Sequence, residues 1–368
     1  MADLPFLKML ILRPFLSAFL ISFALTPPTI WLAKKTKLVT DVKKRKHPAH
    51  THQGVIPRAG GLPVFLSILG TTLFFLPFDQ HLSAIITGAA LLVIVGLLDD
   101  RFDLNPYLRM IICLLAACLV VASGIGIAFI NNPLSRGIIR LDQPQISFFL
   151  WGKERHFWLI ADTLAIIWIV WMTNIVNWVK GFDGQLPGIV TIAALTIALL
   201  SLKFSADITQ WPVTILASIT AGAYLGFLPF NFYPQKIMPG YGGGSLAGFI
   251  LAVLAILTTT KVGTAIVVLG IPIIDAFYTI IRRLIAGHSP VWGDRGHLHH
   301  HLLDLGWSKR KTAFFYWGTT AVLGILALCL NSRQKFYTIS MLAILIGGLL
   351  LWLRFLSTWS KPPGRDNH

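Results

Sequence analysis

Two adjacent aspartates lie where an apolar run meets polar sequence, a position that suggests chemistry. Asp99 and Asp100 end the run in the stretch LLDDRFDLNPYLR, and Asp103 follows one turn later. Adjacent carboxylates repel each other, and the C-terminal end of a helix disfavours negative charge. The pair therefore indicates either a solvated helix end or a cation site, in which Mg²⁺ held against a phosphate would balance the charge.

A second polar cluster closes another apolar run. The stretch NIVNWVKGFDGQLPG, residues 174–188, combines asparagine, lysine, aspartate and glycine directly after a segment hydrophobic enough for lipid. Polar groups at a membrane boundary must be solvated, paired or used. This cluster is too dense to be only solvated, so we expect it to have a function.

A basic segment with two glycines precedes the second apolar run. In THQGVIPRAGGLP, His52 and Arg58 are followed by Gly60 and Gly61. Arginine beside flexible backbone suits anion recognition, because backbone N–H groups can then approach the oxygens. A basic loop that only sets membrane topology is the alternative, and the residues alone leave both open.

Histidines are concentrated in the stretch DRGHLHHHLLDLGW. His297, His299, His300 and His301 follow Arg295 closely. They are too tightly spaced for a closed tetrahedral zinc site, which takes ligands from two elements. The stretch therefore contains either surface histidines or groups that contact a phosphate or sugar.

One acidic residue lies inside an apolar segment. Asp275 occurs in GIPIIDAFYTIIRR, and Arg282 lies two turns later on the same helix face. A carboxylate within a membrane is costly and is normally paired or functional. The sequence leaves a structural and a catalytic role open.

The elements that must position these residues are membrane helices. The chain of 368 residues is 55% hydrophobic and only 12% charged, whereas soluble domains carry about 25% charged residues. Its mean hydropathy is +0.70. We predict an all-α integral membrane protein with about eleven transmembrane helices (10–11), at approximately 9–33, 62–76, 82–98, 108–130, 157–172, 186–202, 211–230, 246–257, 262–285, 312–330 and 339–356.

Charge bias predicts the orientation of these helices. The net charge of +16 arises from basic residues in short loops, which favours positive-inside topology and argues against a nucleic-acid partner. We predict one polytopic domain, residues 1–368, in the inner (plasma) membrane, with an extracytoplasmic hairpin at 131–156. The polar clusters then share the cytoplasmic side, in site loops at 34–61, 99–107, 174–185, 231–245 and 286–311.

Six motifs in order resemble one family. They are His52 with Pro57-Arg58-x-Gly60-Gly61, Asp99-Asp100 with Pro106, Asn174-x-x-Asn177 followed by Gly181-x-Asp183-Gly184, GFLPFNFYP at 226–234, Asp275 with Arg282, and DRGHLHH at 294–300. Together, over about residues 41–307, they resemble the polyprenyl-phosphate N-acetylhexosamine-1-phosphate transferases, the MraY/WecA-like superfamily of glycosyltransferase family 4 type.

The resemblance implies a reaction and a set of site residues. Such enzymes transfer a sugar 1-phosphate from a UDP-sugar, here a UDP-N-acetylhexosamine, to polyprenyl (undecaprenyl) phosphate in the bilayer, release UMP and require Mg²⁺. This is a first lipid-linked step of cell-wall or surface-glycan synthesis. A homodimer is possible. The resemblance implies that Asp99, Asp100 and Asp183 are catalytic and bind the metal, and that the substrates contact His52, Arg58, Asn174, Asn177, Lys180, Tyr241, Arg295, His297, His299 and His300.

Two positions depart from the family pattern. In the pattern N-x-x-N-x-x-D-G-x-D-G the first acid is replaced by Lys180, and Tyr241 stands where the family has an aspartate that is a principal metal ligand. A neutral phenol is a poor ligand for Mg²⁺, which prefers anionic oxygen. Lys180 could instead contact the diphosphate directly.

These departures leave two functions open. One is an active, divergent transferase, which the retained aspartates, histidines and glycine-rich GYGGGS stretch favour. The other is a catalytically impaired homologue that binds polyprenyl phosphate or nucleotide sugar. A secondary transporter is disfavoured, because its polar groups would lie near the bilayer midplane in matching halves.

Overall fold

The computed structural model describes residues 4–41, 54–132, 137–150, 153–258, 262–289 and 296–359, and the fold is stated for these residues. Helices dominate it. The α-helices are α1 Leu4–Leu7, α2 Arg13–Lys35, α3 Gly61–Phe75, α4 Gln80–Phe102, α5 Pro106–Ala122, α6 Leu159–Trp178, α7 Gln185–Lys203, α8 Gln210–Asn231, α9 Gly240–Leu257, α10 Val262–Val268, α11 Gly270–Ile285, α12 Leu298–Asp304, α13 Lys309–Cys329 and α14 Ser332–Trp359. A π-helical turn at Lys8–Leu12 joins α1 to α2.

The protein is a multi-pass, all-α integral membrane protein, as predicted. Eight helices in the described ranges are long and apolar enough to cross a membrane, and the bent pair α10–α11 would make a ninth. The helices α3 and α5 are apolar but shorter. All eleven predicted segments contain helix, yet the count of eleven spans is not confirmed by length and composition.

The predicted continuous helix at 262–285 is wrong. The helix is interrupted after Val268, and α10 and α11 meet at an angle of 82°. Gly270 and Pro272 lie at the start of α11. Glycine lowers helix propensity, and proline cannot donate a backbone hydrogen bond, so both favour a break at this point.

Among the described residues, three small antiparallel strand pairs lie between helices. β1 Val39–Asp41 pairs with β2 Val55–Pro57, β3 Phe129–Asn131 with β4 Ile138–Arg140, and β5 Gln145–Leu150 with β6 Lys153–Trp158. The last two pairs lie between α5 and α6, where the sequence predicts a hairpin at 131–156. The first pair lies at the other end of the molecule and leads directly to Arg58.

Helix α9 lies at the centre of the bundle and packs on α3, α4 and α6. Of the 18 residues of α9, 94% are buried. Its glycines allow this packing: a Cβ atom on Gly96 of α4 would collide with Gly242, and one on Gly61 of α3 would collide with Gly243. Close packing of glycines therefore places the end of α4 beside the beginning of α9.

The predicted site loops contain more helix than expected. The aspartates at 99 and 100 belong to the last turns of α4, residues 174–178 extend α6, and residues 240–245 form the first turns of α9. The GYGGGS stretch is therefore a helix start and not a loop. In the sequence these glycines predict a loop, whereas in the structure they permit helix–helix contact.

Candidate active site

The paired aspartates at the end of α4 bind separate arginines. Asp100 Oδ1 lies 3.0 Å from Arg58 Nε, and both of its oxygens accept from the Tyr241 backbone N–H at 3.1 Å. Both Asp99 oxygens accept from one Arg109 nitrogen at 3.1 Å, and Oδ1 also accepts from Leu104 N at 3.1 Å. Repulsion between the two carboxylates is thus offset by two guanidinium groups.

Backbone contacts hold Arg58 in this position. Met238 N donates to Pro57 O at 2.8 Å, and Gly60 N donates back to Met238 O at 3.0 Å. Gly240 has a φ of +69°, which favours glycine. A Cβ atom at Gly240 would collide with Asp100 Oδ2 and lie 2.9 Å from the carbonyl oxygen of Arg58. The ion pair between Arg58 and Asp100 therefore depends on a glycine at this position.

Lys180 lies in the same cluster, just beyond the end of α6. Its Nζ donates to Asn177 Oδ1 at 2.8 Å and to Gly240 O at 3.2 Å. It also lies 5.3 Å from the centre of the Tyr241 ring, and the Arg109 guanidinium lies 5.0 Å from the same centre. The two residues that depart from the family pattern, Lys180 and Tyr241, are thus in contact with each other. Burial lowers the pKa of Lys180 to about 7, although the charge of Asp100 opposes this shift.

Asp183 forms a third ion pair. Its Oδ1 accepts from Lys309 Nζ, at the start of α13, at 3.0 Å. The next residue, Gly184, donates its N–H to Asn231 Oδ1 at 3.1 Å and accepts from Trp317 Nε1 at 3.1 Å. The segment that carries Asp183 is therefore fixed by α8 and α13.

The predicted histidines form a buried group beside this segment. His297 Nδ1 lies 2.8 Å from Asp275 Oδ2, and Leu298 N donates to Asp275 Oδ1 at 2.8 Å. His299 is buried against Gly181, where a Cβ atom would collide with its Nε2. His300 is buried too, with its ring centre 4.2 Å from that of His299. Through Gly181 the histidines adjoin the Lys180 segment, at the same end of the bundle.

Of three further predicted substrate contacts, one hydrogen-bonds to its own helix and two lie outside the described residues. Asn174 Nδ2 donates to Val170 O of its own helix at 2.8 Å and lies 3.8 Å from Cys113 Sγ. His52 lies in residues 42–53 and Arg295 in residues 290–295, neither of which the structure describes. The roles of all three stay predictions.

Sequence reasoning missed two cations of the site. Arg109 binds Asp99, and Lys309 binds Asp183. Arg109 is the last residue of the stretch LLDDRFDLNPYLR, and Lys309 lies in SKRK, directly after the histidine stretch. Arg109 could have been found as a basic residue one turn into the helix that follows an acidic cluster. Lys309 belongs to a basic run at a helix start, where the helix dipole disfavours positive charge.

The three ion pairs share one orientation. The carboxylate side chains of Asp100, Asp99 and Asp183 are 1%, 4% and 4% exposed, whereas their partners Arg58, Arg109 and Lys309 are 21%, 26% and 21% exposed. The acids therefore lie inside, and the cations face the open side. An approaching ligand would therefore meet the cations before the carboxylates.

This arrangement does not fit a resident Mg²⁺. Within the described ranges, no three His, Cys, Asp or Glu side chains converge in a way that could hold a metal ion. The oxygens of Asp99 and Asp100 already accept hydrogen bonds or bind arginine. A metal would have to displace these cations, so the predicted metal role of Asp99, Asp100 and Asp183 finds no preformed site here.

Fold and site together define a multi-pass membrane protein with a cluster of cations, paired with buried carboxylates, at one end of its helices. Residues 82–259 match Glycosyl transferase family 4. The decaprenyl-phosphate N-acetylglucosaminephosphotransferase of Mycolicibacterium smegmatis is 30% identical over 294 residues, 71% of this chain and 68% of that protein. The chain belongs to this glycosyl transferase family, as its motifs predicted.

Other relatives cover more of both chains. The undecaprenyl-phosphate alpha-N-acetylglucosaminyl 1-phosphate transferase of Salmonella typhi is 28% identical over 309 residues, 80% of this chain and 78% of that protein. The phospho-N-acetylmuramoyl-pentapeptide-transferase of Bacillus licheniformis is 27% identical over 348 residues, 88% of this chain and 98% of that protein. Similarity therefore extends to relatives that are named for two different sugars.

Proposed function

We propose that the protein transfers N-acetylhexosamine 1-phosphate from a UDP-sugar to polyprenyl phosphate and releases UMP. The observation that carries this proposal is the outward orientation of Arg58, Arg109 and Lys309 above buried carboxylates. Two anionic reactants must meet there, and cations offset their repulsion. The names of the relatives, which act on undecaprenyl or decaprenyl phosphate, support the same reaction.

The reaction needs little proton transfer. An oxygen of the lipid phosphate attacks the phosphorus that carries the sugar, and a new P–O bond forms. The bond from that phosphorus to the bridging oxygen breaks, and its electron pair leaves with UMP. The second pKa of a phosphate monoester is about 6, so the attacking group is mostly dianionic at neutral pH. Charge is conserved, and positioning and electrostatics provide most of the rate.

The described residues have distinct roles in this scheme. Arg58 and Arg109 bind phosphate oxygens, since a guanidinium presents a planar set of donors. Asp99 and Asp100 are buried beneath them and hold them in place. Lys180 contacts the diphosphate, and Lys309, held by Asp183, provides a further cation for the anionic substrates.

The site lies at an end of the helix bundle, where a lipid headgroup and a water-soluble nucleotide can both reach it. Lys34 and Lys35 in the last turn of α2, and Lys37 between α2 and β1, lie near this end. By the positive-inside rule this end faces the cytoplasm of the inner (plasma) membrane. The protein then catalyses a first lipid-linked step of cell-wall or surface-glycan synthesis.

A second candidate function is binding without turnover. It is favoured by Lys180 and Tyr241, which contact each other at two positions where the resembled pattern has acids. Such a protein would hold polyprenyl phosphate or nucleotide sugar without transferring the sugar phosphate.

Turnover distinguishes the two functions. Purified full-length protein is given undecaprenyl phosphate and each of several UDP-N-acetylhexosamines, and UMP and the lipid diphosphate sugar are measured. We expect both products with at least one sugar. Asp100→Asn, which weakens the hold on Arg58, should lower the rate at least tenfold, whereas Arg140→Gln on the exposed β4 strand should not. Absence of UMP with every sugar, with and without divalent metal, would leave only binding.

A further inference from the structure

The charges of the site suggest how it binds a diphosphate. Arg58, Arg109 and Lys180 surround one buried residue, Tyr241: Arg58 and the Tyr241 backbone share Asp100, while Arg109 and Lys180 lie 5.0 and 5.3 Å from the Tyr241 ring. The Tyr241 side chain has no negative charge to offer a metal. Its ring face instead favours cations beside it.

The carboxylates nearby are not accessible to a metal ion. Asp100 and Asp99 side chains are 1% and 4% exposed, and their oxygens face the arginines and backbone N–H groups. Mg²⁺ loses its water reluctantly and needs open carboxylate oxygens and an octahedral arrangement. The groups that a ligand meets first are therefore the cations.

Lys180 retains a donor for a ligand. Its ammonium has three hydrogens, and among the described residues two of them serve Asn177 Oδ1 and Gly240 O. The third can donate to a phosphate oxygen.

We propose that Lys180, together with Arg58 and Arg109, binds the diphosphate of the nucleotide sugar in place of a divalent cation. The proposal rests on the proposed function for the identity of the ligand. Three positive groups meet the two negative charges of the diphosphate, and the carboxylates beneath keep the cations from repelling one another. Charge that moves to the departing UMP is then stabilised by ammonium and guanidinium groups.

Binding measurements test this directly on the purified full-length protein in detergent. UDP-N-acetylglucosamine is titrated after treatment with EDTA and again with added Mg²⁺. We expect dissociation constants that agree within twofold. Lys180→Gln should weaken binding at least tenfold under both conditions, and Lys180→Arg should weaken it less. Lys203→Gln, on an exposed lysine at the other end of α7, is the matched control and should bind as the unaltered protein does.

A charge reversal gives the most specific outcome. Lys180→Asp should bind weakly in EDTA and regain at least tenfold affinity with Mg²⁺, because it replaces the ammonium by a metal-binding carboxylate. Melting temperatures confirm that the variants are folded. The unaltered protein tests the proposal even if a variant does not fold.

Each result has one meaning. Mg²⁺ that tightens binding to the unaltered protein more than tenfold would overturn the proposal, as would turnover that EDTA abolishes and Mg²⁺ restores. Equal binding with and without metal, together with its loss in Lys180→Gln, supports it. UMP release in the same samples tests the proposed function separately: equal binding without any UMP would contradict the transferase and leave the cation site standing.

Discussion

At the scale of single residues, the charge of Lys180 is sensitive to pH. Burial lowers the pKa of this lysine to about 7, against the opposing charge of Asp100. The free site therefore loses the ammonium as pH rises through about 7. A bound diphosphate favours the charged form, so binding above this pH takes up a proton and weakens as pH increases, by at most about tenfold per unit.

We predict that the affinity for UDP-N-acetylglucosamine falls several-fold between pH 7 and 8.5. The diphosphate diester of this ligand does not titrate in that range, so the change reports on the protein. Lys180→Arg keeps its charge throughout, because the pKa of a guanidinium lies far above this range. Its affinity should stay nearly constant, and the neighbouring histidines are the same in both proteins. Parallel pH profiles for the two proteins would contradict the assignment to Lys180.

Gly240 provides a second prediction at this scale. Alanine there would adopt an unfavourable φ of +69° and push against Asp100 Oδ2 and the carbonyl oxygen of Arg58. We expect Gly240→Ala to cost about 1–3 kcal/mol of stability and to weaken nucleotide-sugar binding at least tenfold, as measured by thermal unfolding and titration. Gly70→Ala in α3, where a Cβ atom meets nothing within 4 Å, is the control. Equal binding by both variants would count against this role for Gly240.

The sequence identified several residues of the site but not how they pair. Asp99, Asp100 and Lys180 stand out because each is a charge beside apolar sequence. That Lys309 binds an acid is not visible in the same way, because Lys309 lies 126 residues from Asp183. Ion pairs of this kind depend on tertiary packing, so spacing along the chain does not reveal them.

At the scale of elements, hydrophobic runs predicted the helices, whereas their ends were predicted less well. Helix α9 begins at Gly240, before its apolar run, and α6 continues to Trp178 through polar residues. Both extensions lie against neighbouring helices, where burial and packing outweigh local helix propensity. The break between α10 and α11 was missed because both halves are apolar.

Asp275 links two of these elements. It lies on α11 and accepts from the first backbone N–H of α12 while it pairs with His297. Asp275→Asn removes the charge from both interactions, and hydrogen bonds to charged groups contribute about 1.5–3 kcal/mol. We expect lower thermal stability and faster amide hydrogen exchange in residues 298–304.

The control for this change is Asp103→Asn. Asp103 is exposed and has a φ of +55°, which asparagine tolerates well. It should leave exchange in α12 unaltered. If Asp275→Asn gave the same exchange pattern as the control, the two interactions would not be what holds α12 on α11.

At the scale of the whole molecule, the two ends of the helix bundle differ in kind. One end carries Arg58, Lys180 and the histidines, held by α4, α6, α9 and α12. The other end carries the β3–β4 and β5–β6 hairpins, between α5 and α6. Since basic residues at a membrane surface favour the cytoplasmic side, the two ends should lie in different compartments.

Labelling of introduced cysteines tests this orientation. Tyr107 is 75% exposed in the first turn of α5. Ile138 is 56% exposed in β4, which follows the C-terminal end of α5. Each is changed to cysteine in a protein that lacks Cys118 and Cys329, while the buried Cys113 is kept. A membrane-impermeant maleimide on intact spheroplasts should label Ile138→Cys at once. Tyr107→Cys should react only after the membrane is permeabilised.

The two positions must give opposite results, because α5 separates them. Labelling of Tyr107→Cys in intact spheroplasts, with Ile138→Cys protected, would place the cation site outside the cell, where no cytoplasmic nucleotide sugar reaches it. That result would contradict the proposed transferase reaction even if the purified protein bound UDP-sugars. Labelling of both positions before permeabilisation would mean that α5, which has 17 residues, does not separate the two compartments.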